Sequence, residues 1–215
     1  MLQIYNTPDL SKKFFARTNP QTIAQRASTM KELLPHAKSI ADICCGDCSQ
    51  QWEIYSQLPH LEKYTGLDIH PEIVKFNRAN GIDCFCGDAL DKTVLSRFID
   101  FDVLFFGPPL SLNCDGHTLL DFWHIVPGYQ DFTRLIFNEL DYDGTVVCIC
   151  PKSTTMGDIR RLYSHINDLR VDVGLHLIHY SVTTLTADGQ MTAPRLKYVE
   201  LWLSSRLENS WHVRK

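Results

Sequence analysis

Short apolar runs alternate along the chain with segments whose apolar residues recur at helical spacing. The runs are strand-length and lie at Ser39–Cys44, Tyr64–Asp68, Ile82–Cys86, Phe101–Phe106 and Thr145–Cys150. Because these runs lack polar alternation, they predict strands buried on both faces of a sheet. The intervening segments predict helices at Gln50–Leu58, Pro71–Asn80, Lys92–Ile99, Gly128–Leu140 and Thr155–Leu169. This alternation predicts an α/β fold with a doubly wound, mostly parallel sheet and helices on both faces.

The two ends of the chain break this rhythm. An amphipathic helix is predicted from Asn19, with Ile23, Ala27 and Met30 on one face, so residues 1–35 are predicted to form a helical segment or lid. Near the other end, the extended segments Val171–Thr184 and Leu196–Ser204 have no helix between them and predict a C-terminal antiparallel hairpin. We expect residues 36–206 to form one domain and residues 207–215 to be a frayed tail.

Composition narrows the class of protein. The chain has 215 residues, of which 44% are hydrophobic, and no apolar run approaches the length of a membrane span. The first residues lack the charged and apolar regions of a secretory signal, so we expect a cytoplasmic protein, with no membrane partner, whose eight cysteines are reduced. A net charge of −4 disfavours binding of long nucleic acid through many phosphate contacts, although a local basic face is compatible with it.

A turn of small residues follows the first predicted strand. The segment ADICCGDCS places an acid, Asp42, in the strand and then Cys44, Cys45, Gly46 and Cys48 in the turn. It resembles the first motif of class I S-adenosylmethionine-dependent methyltransferases, with cysteine at two of the three usual glycine positions. The resemblance implies that these five residues contact the cofactor, S-adenosyl-L-methionine, with the turn approaching its methionine part.

Two more acids end the next two strands. Asp68 lies 26 residues after Asp42, which fits one strand–helix–strand unit, and a carboxylate there can accept hydrogen bonds from both ribose hydroxyls. The segments around Asp68-Ile69 and Asp88-Ala89 resemble the second and third motifs of the same family. The resemblance therefore implies cofactor contacts from these four residues, with Asp88 at the adenine amino group, and a Rossmann-like methyltransferase domain over residues 36–206.

The fourth strand runs directly into Gly107-Pro108-Pro109-Leu110. This segment resembles the Asp/Asn-Pro-Pro-aromatic motif of amino-methyltransferases that act on adenine or guanine, so Gly107, Pro108 and Pro109 are the candidate catalytic residues. In that motif, hydrogen-bond acceptors of the protein bind the N–H groups of the amine and favour its nucleophilic form. Catalysis then depends mostly on positioning and electrostatics. Gly107 replaces the side-chain acceptor and Leu110 replaces the aromatic residue, while the Pro108 carbonyl can still accept one hydrogen bond.

A long loop follows this turn and is expected to set specificity. Its candidates for binding the acceptor, together with Leu110, are Asn113, His117 and Trp123, and Asp115 or His117 could act as a general base. No base is required for a neutral amine, because its proton can leave after methyl transfer.

The clustered cysteines have a second interpretation. Cys45-x-x-Cys48 and Cys84-x-Cys86 together offer four thiolates, which is the ligand set of a zinc site. Alternate residues of one strand share a face in any buried sheet, so we favour core packing and predict no metal.

Three functions stay open. The leading hypothesis is a methyltransferase that N-methylates a nucleobase in RNA or DNA. The first alternative is a methyltransferase for a small molecule or a protein side chain, suggested by the acidic net charge and by Leu110. The second is a binding subunit without catalysis, suggested by the lost glycines and Gly107. The sequence does not specify the oligomeric state.

Overall fold

The computed structural model describes residues 20–110, 121–167, 174–182, 195–204 and 210–211. Its helices are α1 (Pro20–Leu33), α2 (Gln51–Gln57), α3 (Pro71–Ala79), α4 (Lys92–Leu95), α5 (Tyr129–Arg134) and α6 (Met156–Asn167). Short 3-10 segments lie at Ser96–Phe98 and Phe122–His124, and a π-helical segment, Leu135–Glu139, continues α5. The strands are β1 (Ser39–Ile43), β2 (Lys63–Asp68), β3 (Cys84–Cys86), β4 (Val103–Phe106), β5 (Thr145–Cys150), β6 (Gly174–Val182), β7 (Arg195–Ser204) and β8 (Ser210–Trp211).

The strands form one eight-stranded sheet in the order β3-β2-β1-β4-β5-β7-β6-β8. Strands β1 to β5 are parallel, and β7 runs antiparallel to both β5 and β6. The predicted doubly wound sheet and C-terminal antiparallel pair are therefore confirmed. The expectation of a frayed tail is wrong for Ser210 and Trp211, whose backbone pairs with β6 as a parallel edge strand.

Each central strand sends alternate side chains to two cores on opposite faces of the sheet. Phe105 points to the core shared with α1 and α2, which we call the α1 face, and Phe106 points to the core shared with α5 and α6, which we call the aromatic face. The same alternation separates Val147 from Cys148 on β5. Burial on both faces explains why these runs are apolar without alternation.

Helix α1 covers one face of the sheet rather than standing apart from it. Its apolar stripe, Ile23, Ala27 and Met30, is at most 5% exposed, and Arg26 in the same stripe is fully buried. Residues 1–19 of the predicted lid lie outside the described residues, so the lid and the domain boundaries stay predictions. In the described part of the chain, no helix has the length and hydropathy needed to span a membrane.

Candidate active site

The turn after β1 has an unusual backbone. Cys44, Gly46 and Cys48 adopt positive φ angles of 64°, 54° and 51°. Left-handed backbone disfavours residues with a side chain by about 1–2 kcal/mol, which is why glycine is the usual choice there. The two cysteines thus keep the geometry expected of the glycines they replace. The Cys45 N–H also donates to the Leu67 carbonyl at 3.0 Å, which ties the turn to the end of β2.

Asp68, the last residue of β2, is hydrogen-bonded to this turn. Its Oδ2 accepts from the Gly46 N–H at 3.0 Å, and its Oδ1 accepts from the His70 N–H at 3.0 Å. Burial raises the pKa of the Asp68 carboxyl above its usual value, and the two N–H groups oppose that shift. Each carboxylate oxygen retains a lone pair for a further donor. The sequence therefore placed Asp68 correctly at the carboxyl edge of the sheet, next to the turn.

The residues after β2 and β3 differ in exposure. Ile69 is 59% exposed although it directly follows Asp68, which is only 7% exposed. Asp88 is exposed, and its Oδ1 accepts from the Leu90 N–H at 2.8 Å, whereas Ala89 packs into the core of the aromatic face. An exposed isoleucine therefore lies directly beside a buried acid at this edge of the sheet.

Asp42 lies inside the core rather than on this surface. It is 2% exposed, and its Oδ2 accepts from Gln50 Nε2 and from the Tyr64 hydroxyl, both at 2.6 Å. Burial raises the pKa of Asp42 to about 6, although both hydrogen bonds oppose the shift. Asp42 therefore supports the turn from beneath through Gln50, which precedes α2.

Sequence reasoning missed the rest of this buried network. Arg26 Nη1 donates to Gln50 Oε1, and the Arg26 guanidinium pairs with the fully buried Glu200 carboxylate at 2.6 Å. Trp202 Nε1 donates to the other Glu200 oxygen at 3.2 Å. The sequence does contain a sign of this network, because an arginine lies within the apolar stripe of α1 and a glutamate lies within the apolar strand β7. The network joins α1, the β1 turn and β7 on the α1 face.

The Gly107 turn lies beside the Cys44 turn. The Gly107 N–H donates to the Ile43 carbonyl at 3.0 Å, immediately before Cys44. Pro108 is buried, Pro109 is exposed, and Leu110 is half-buried against the core of the aromatic face. A Cβ on Gly107 would come within 3.2 Å of the Ile149 Cδ1 methyl, so a small side chain needs only a slight shift there.

A row of aromatic rings supports this turn from the aromatic face. Phe106 stacks on Phe132 at 3.9 Å and meets Tyr129 edge-on at 5.7 Å. Tyr129 stacks on Phe122 at 4.5 Å and donates its hydroxyl to the Ile149 carbonyl at 2.6 Å. The row fixes the ends of β4 and β5 against α5.

Trp123 is at the outer end of this row. Its Nε1 donates to Asp158 at 2.7 Å, and the Arg161 guanidinium lies 4.4 Å from its ring centroid. A shallow cleft of about 330 Å³ is lined by Trp123, Gln130, Arg161, Ser164 and His165. The other predicted acceptor contacts in the loop, Asn113 and His117 together with Asp115, lie outside the described residues.

The cysteines do not form the four-thiolate arrangement considered from the sequence. Cys45 and Cys84 approach within 3.8 Å on the α1 face, but Cys86 is exposed and its sulfur lies 3.7 Å from the Ile69 carbonyl. Among the described residues, no group of three or more Cys, His, Asp or Glu side chains has the arrangement of a metal site.

No protein-family model and no curated protein matches this sequence. Solved structures do match its fold. The methyltransferase domain of a bacterial CtHen1 aligns with a TM-score of 0.60 and 12% identity over 86% of this chain and 97% of its own. The plantazolicin methyltransferase BpumL, solved with S-adenosylhomocysteine, aligns with a TM-score of 0.57 and 16% identity over 88% of this chain and 83% of its own.

A third match carries a different name, precorrin 8w decarboxylase, from Methanobacterium thermoautotrophicum. It aligns with a TM-score of 0.52 and 17% identity over 84% of this chain and 89% of its own. At these identities the likeness shows the fold and leaves the reaction to be argued from the site. The chain has the Rossmann-like fold of S-adenosylmethionine-dependent methyltransferases.

Proposed function

We propose that this protein is an S-adenosyl-L-methionine-dependent methyltransferase whose cofactor binds against the Cys44–Cys48 turn. The observation that carries the proposal is the left-handed turn hydrogen-bonded to the buried Asp68 carboxylate, with exposed Ile69 beside it. These groups suit the chemistry of the cofactor, which combines ribose hydroxyls with an apolar adenine ring. The structural neighbour BpumL, crystallised with S-adenosylhomocysteine, supports the same assignment.

Each residue has a physical role in this proposal. The free lone pairs of Asp68 accept ribose hydroxyls, and Ile69 covers one side of the adenine with hydrocarbon. Asp88, which is exposed at the next strand end, accepts from the adenine amino group. The backbone of the turn at Cys44–Cys48 admits the methionine part, because small residues let a ligand approach closely. When bound, the cofactor supplies a methyl group on a positively charged sulfur.

For the acceptor, we propose a nitrogen that carries N–H groups, and nucleobase amines in RNA or DNA are the first class to test. Proline has no backbone N–H, so Pro108 and Pro109 offer carbonyl acceptors without competing donors. The Gly107 N–H already donates to the Ile43 carbonyl. The turn therefore presents acceptors to the substrate, which favours an amine donor and positions it for attack.

A second acceptor class is supported by one observation. Leu110 is aliphatic and half-buried against the core, so this position lacks the exposed aromatic surface on which a flipped base would stack. This favours an amine on a small molecule or a protein side chain as the alternative acceptor.

The experiment offers labelled S-adenosylmethionine and the purified chain to separate RNA, DNA, protein and small-molecule fractions from cells that lack the gene. We expect label in a nucleic-acid fraction and, by mass spectrometry, one methylated nucleoside that is absent from the deletion strain. Asp68→Ala provides the background control. Label confined to protein or small molecules would overturn the nucleobase proposal, and failure to bind the cofactor would overturn the methyltransferase proposal.

A further inference from the structure

Three cysteine sulfurs converge over one glycine of β2. A Cβ built on Gly66 would lie 2.7 Å from the sulfurs of Cys45 and Cys48 and 3.2 Å from that of Cys84. The strand therefore needs glycine at this position to make room for the sulfurs. The Cys45 and Cys84 sulfurs lie 3.8 Å apart, and no disulfide joins them.

Asn77 of α3 covers the cluster from the other side. Its Nδ2 donates to the Gly46 carbonyl at 2.8 Å and lies 3.7, 3.5 and 3.6 Å from the sulfurs of Cys45, Cys48 and Cys84. Asn77 is fully buried, and its Oδ1 has no hydrogen-bond partner among the described residues. One Nδ2 hydrogen serves Gly46, and the other lies among the three sulfurs, where it stabilises a thiolate.

The charge state of the cluster agrees with this geometry. Hydrogen bonds from the Cys45 and Cys48 thiols, assisted by Asn77, lower the pKa of the Cys84 thiol well below its usual value. Burial raises the pKa of the Cys45 thiol. A thiolate at Cys84 beside the Cys45 thiol is the form that a hydroperoxide oxidises, and the neighbouring thiol can then condense with the oxidised sulfur.

The three cysteines of the cluster differ in exposure. Cys45 is half-buried, whereas Cys48 and Cys84 are at most 1% exposed. The buried cysteines of β5, Cys148 and Cys150, differ because burial raises the pKa of both thiols. Oxidation should therefore be selective for the cluster.

We propose that Cys45 and Cys84 are a redox-sensitive pair that forms a disulfide in the presence of a hydroperoxide and thereby weakens cofactor binding. The Cys84 thiolate and the Cys45 thiol lose two electrons and one proton as the S–S bond forms. The hydroperoxide accepts the two electrons, that proton and a second proton from solvent, its O–O bond breaks, and two water molecules leave when it is hydrogen peroxide. A dithiol reductant reverses the step by thiol–disulfide exchange.

The effect on the cofactor follows from the position of Cys45, and this part rests on the proposed function. The two sulfurs must close from 3.8 Å to about 2 Å to bond. Cys45 directly precedes Gly46, whose N–H is bound to Asp68 and whose carbonyl is bound to Asn77. Movement of Cys45 towards β3 therefore displaces the hydrogen bond that holds the turn on Asp68.

The test compares reduced and peroxide-treated full-length protein. Tandem mass spectrometry maps the linkage, and calorimetry measures affinity for S-adenosylmethionine before treatment, after treatment and after reduction with dithiothreitol. We expect a Cys45–Cys84 linkage, an affinity at least tenfold weaker, and full recovery on reduction. Cys86→Ser, which changes the exposed cysteine of the same strand, is the matched control and should keep the response.

In Cys84→Ser, the affinity for S-adenosylmethionine should be the same in reduced and peroxide-treated protein. Cys84→Ala replaces this variant if the serine variant does not fold. If peroxide treatment leaves Cys45 and Cys84 unlinked, or links Cys45 to Cys48, the proposed Cys45–Cys84 disulfide is overturned. A Cys45–Cys84 linkage with unchanged affinity overturns its effect on the cofactor. Reduced protein that fails to bind S-adenosylmethionine refutes the proposed function instead, while the mapping still tests the pair.

Discussion

The α1 face of the sheet buries an arginine, two carboxylates and a tyrosine hydroxyl, whereas the aromatic face is filled mainly by hydrocarbon and stacked rings. On the α1 face, Arg26 connects Glu200 to Gln50, and Gln50 connects to Asp42. On the aromatic face, the row of rings that begins at Phe132 and Phe106 continues to Trp123. The two faces therefore stabilise the same sheet through different interactions.

The difference follows the two turns that the faces support. The polar network and the thiol cluster lie beneath the Cys44–Cys48 turn, where a strained backbone needs fixed hydrogen bonds. The rings lie beneath the Gly107–Leu110 turn, where packing alone can hold the ends of β4 and β5. The α1 face is therefore sensitive to loss of a single hydrogen-bonding partner, because that loss leaves a buried polar group unsatisfied, whereas the aromatic face depends less on such groups.

The strongest test of this contrast is Arg26→Met. Loss of one partner leaves the fully buried Glu200 carboxylate unpaired, so we expect the free energy of unfolding to fall by about 3–5 kcal/mol. Chemical denaturation measures the change. The double variant Arg26→Met with Glu200→Gln should recover part of the loss, and Lys38→Met, which breaks an ion pair exposed by 64% and 66%, should have a far smaller effect. A small loss for Arg26→Met would contradict the role given to the network.

The second test uses pH. Because burial raises the pKa of folded Asp42 to about 6, the folded state keeps a proton that the unfolded chain, with a pKa near 3.8, has released. The free energy of unfolding therefore falls as pH rises from about 4 to about 6, by up to about 3 kcal/mol for this group. Asp42→Asn cannot ionise, so its stability relative to the wild type should increase over this range. A difference that stays constant with pH would show that Asp42 is not buried as described.

The third test turns to the aromatic face. Tyr129→Phe removes the hydroxyl that donates to the Ile149 carbonyl but keeps the ring stacked on Phe122. We expect a loss of about 1–2 kcal/mol in the free energy of unfolding, below that of Arg26→Met. A loss equal to or above the Arg26→Met value would remove the contrast between the faces.

The smallest effect is expected at Cys44, where φ is 64°. Glycine relieves the left-handed strain but makes the unfolded chain more flexible, so Cys44→Gly should stay within about 1 kcal/mol of the wild type. Cys44→Val places a branched side chain in the same backbone and should be about 1–2 kcal/mol less stable. Thermal unfolding ranks the two variants, and a valine variant as stable as the glycine variant would contradict the strained turn.

Much of the fold could be predicted because the central strands are continuous apolar runs. The ends of the strands were harder to predict. Ile82 and Phe101 are buried like strand residues but lie outside β3 and β4. The segment predicted as a helix over Lys92–Ile99 divides into a four-residue helix and a 3-10 turn. Pairing of Ser210 with β6 depends on the sheet edge, which local sequence does not describe.

The site was predictable only where motifs mark strand ends. Asp68 is the last residue of β2 and Gly107 directly follows β4, so both lie at the edge where they were expected. The buried network that extends from Asp42 was missed because its far members, Arg26 and Glu200, are 174 residues apart and meet only through the sheet topology. The positive φ of the two cysteines was likewise hidden, since residue identity favours glycine at such positions.

The most direct measurement is a calorimetric titration of S-adenosyl-L-methionine into the reduced wild-type protein and into Asp68→Ala. We expect saturable binding to the wild type and no detectable binding to the variant, because the alanine removes the ribose acceptor and the bond that holds Gly46. Circular dichroism of both proteins verifies that the variant is folded. Equal affinity in the two proteins would contradict the assignment of this edge of the sheet as the cofactor site.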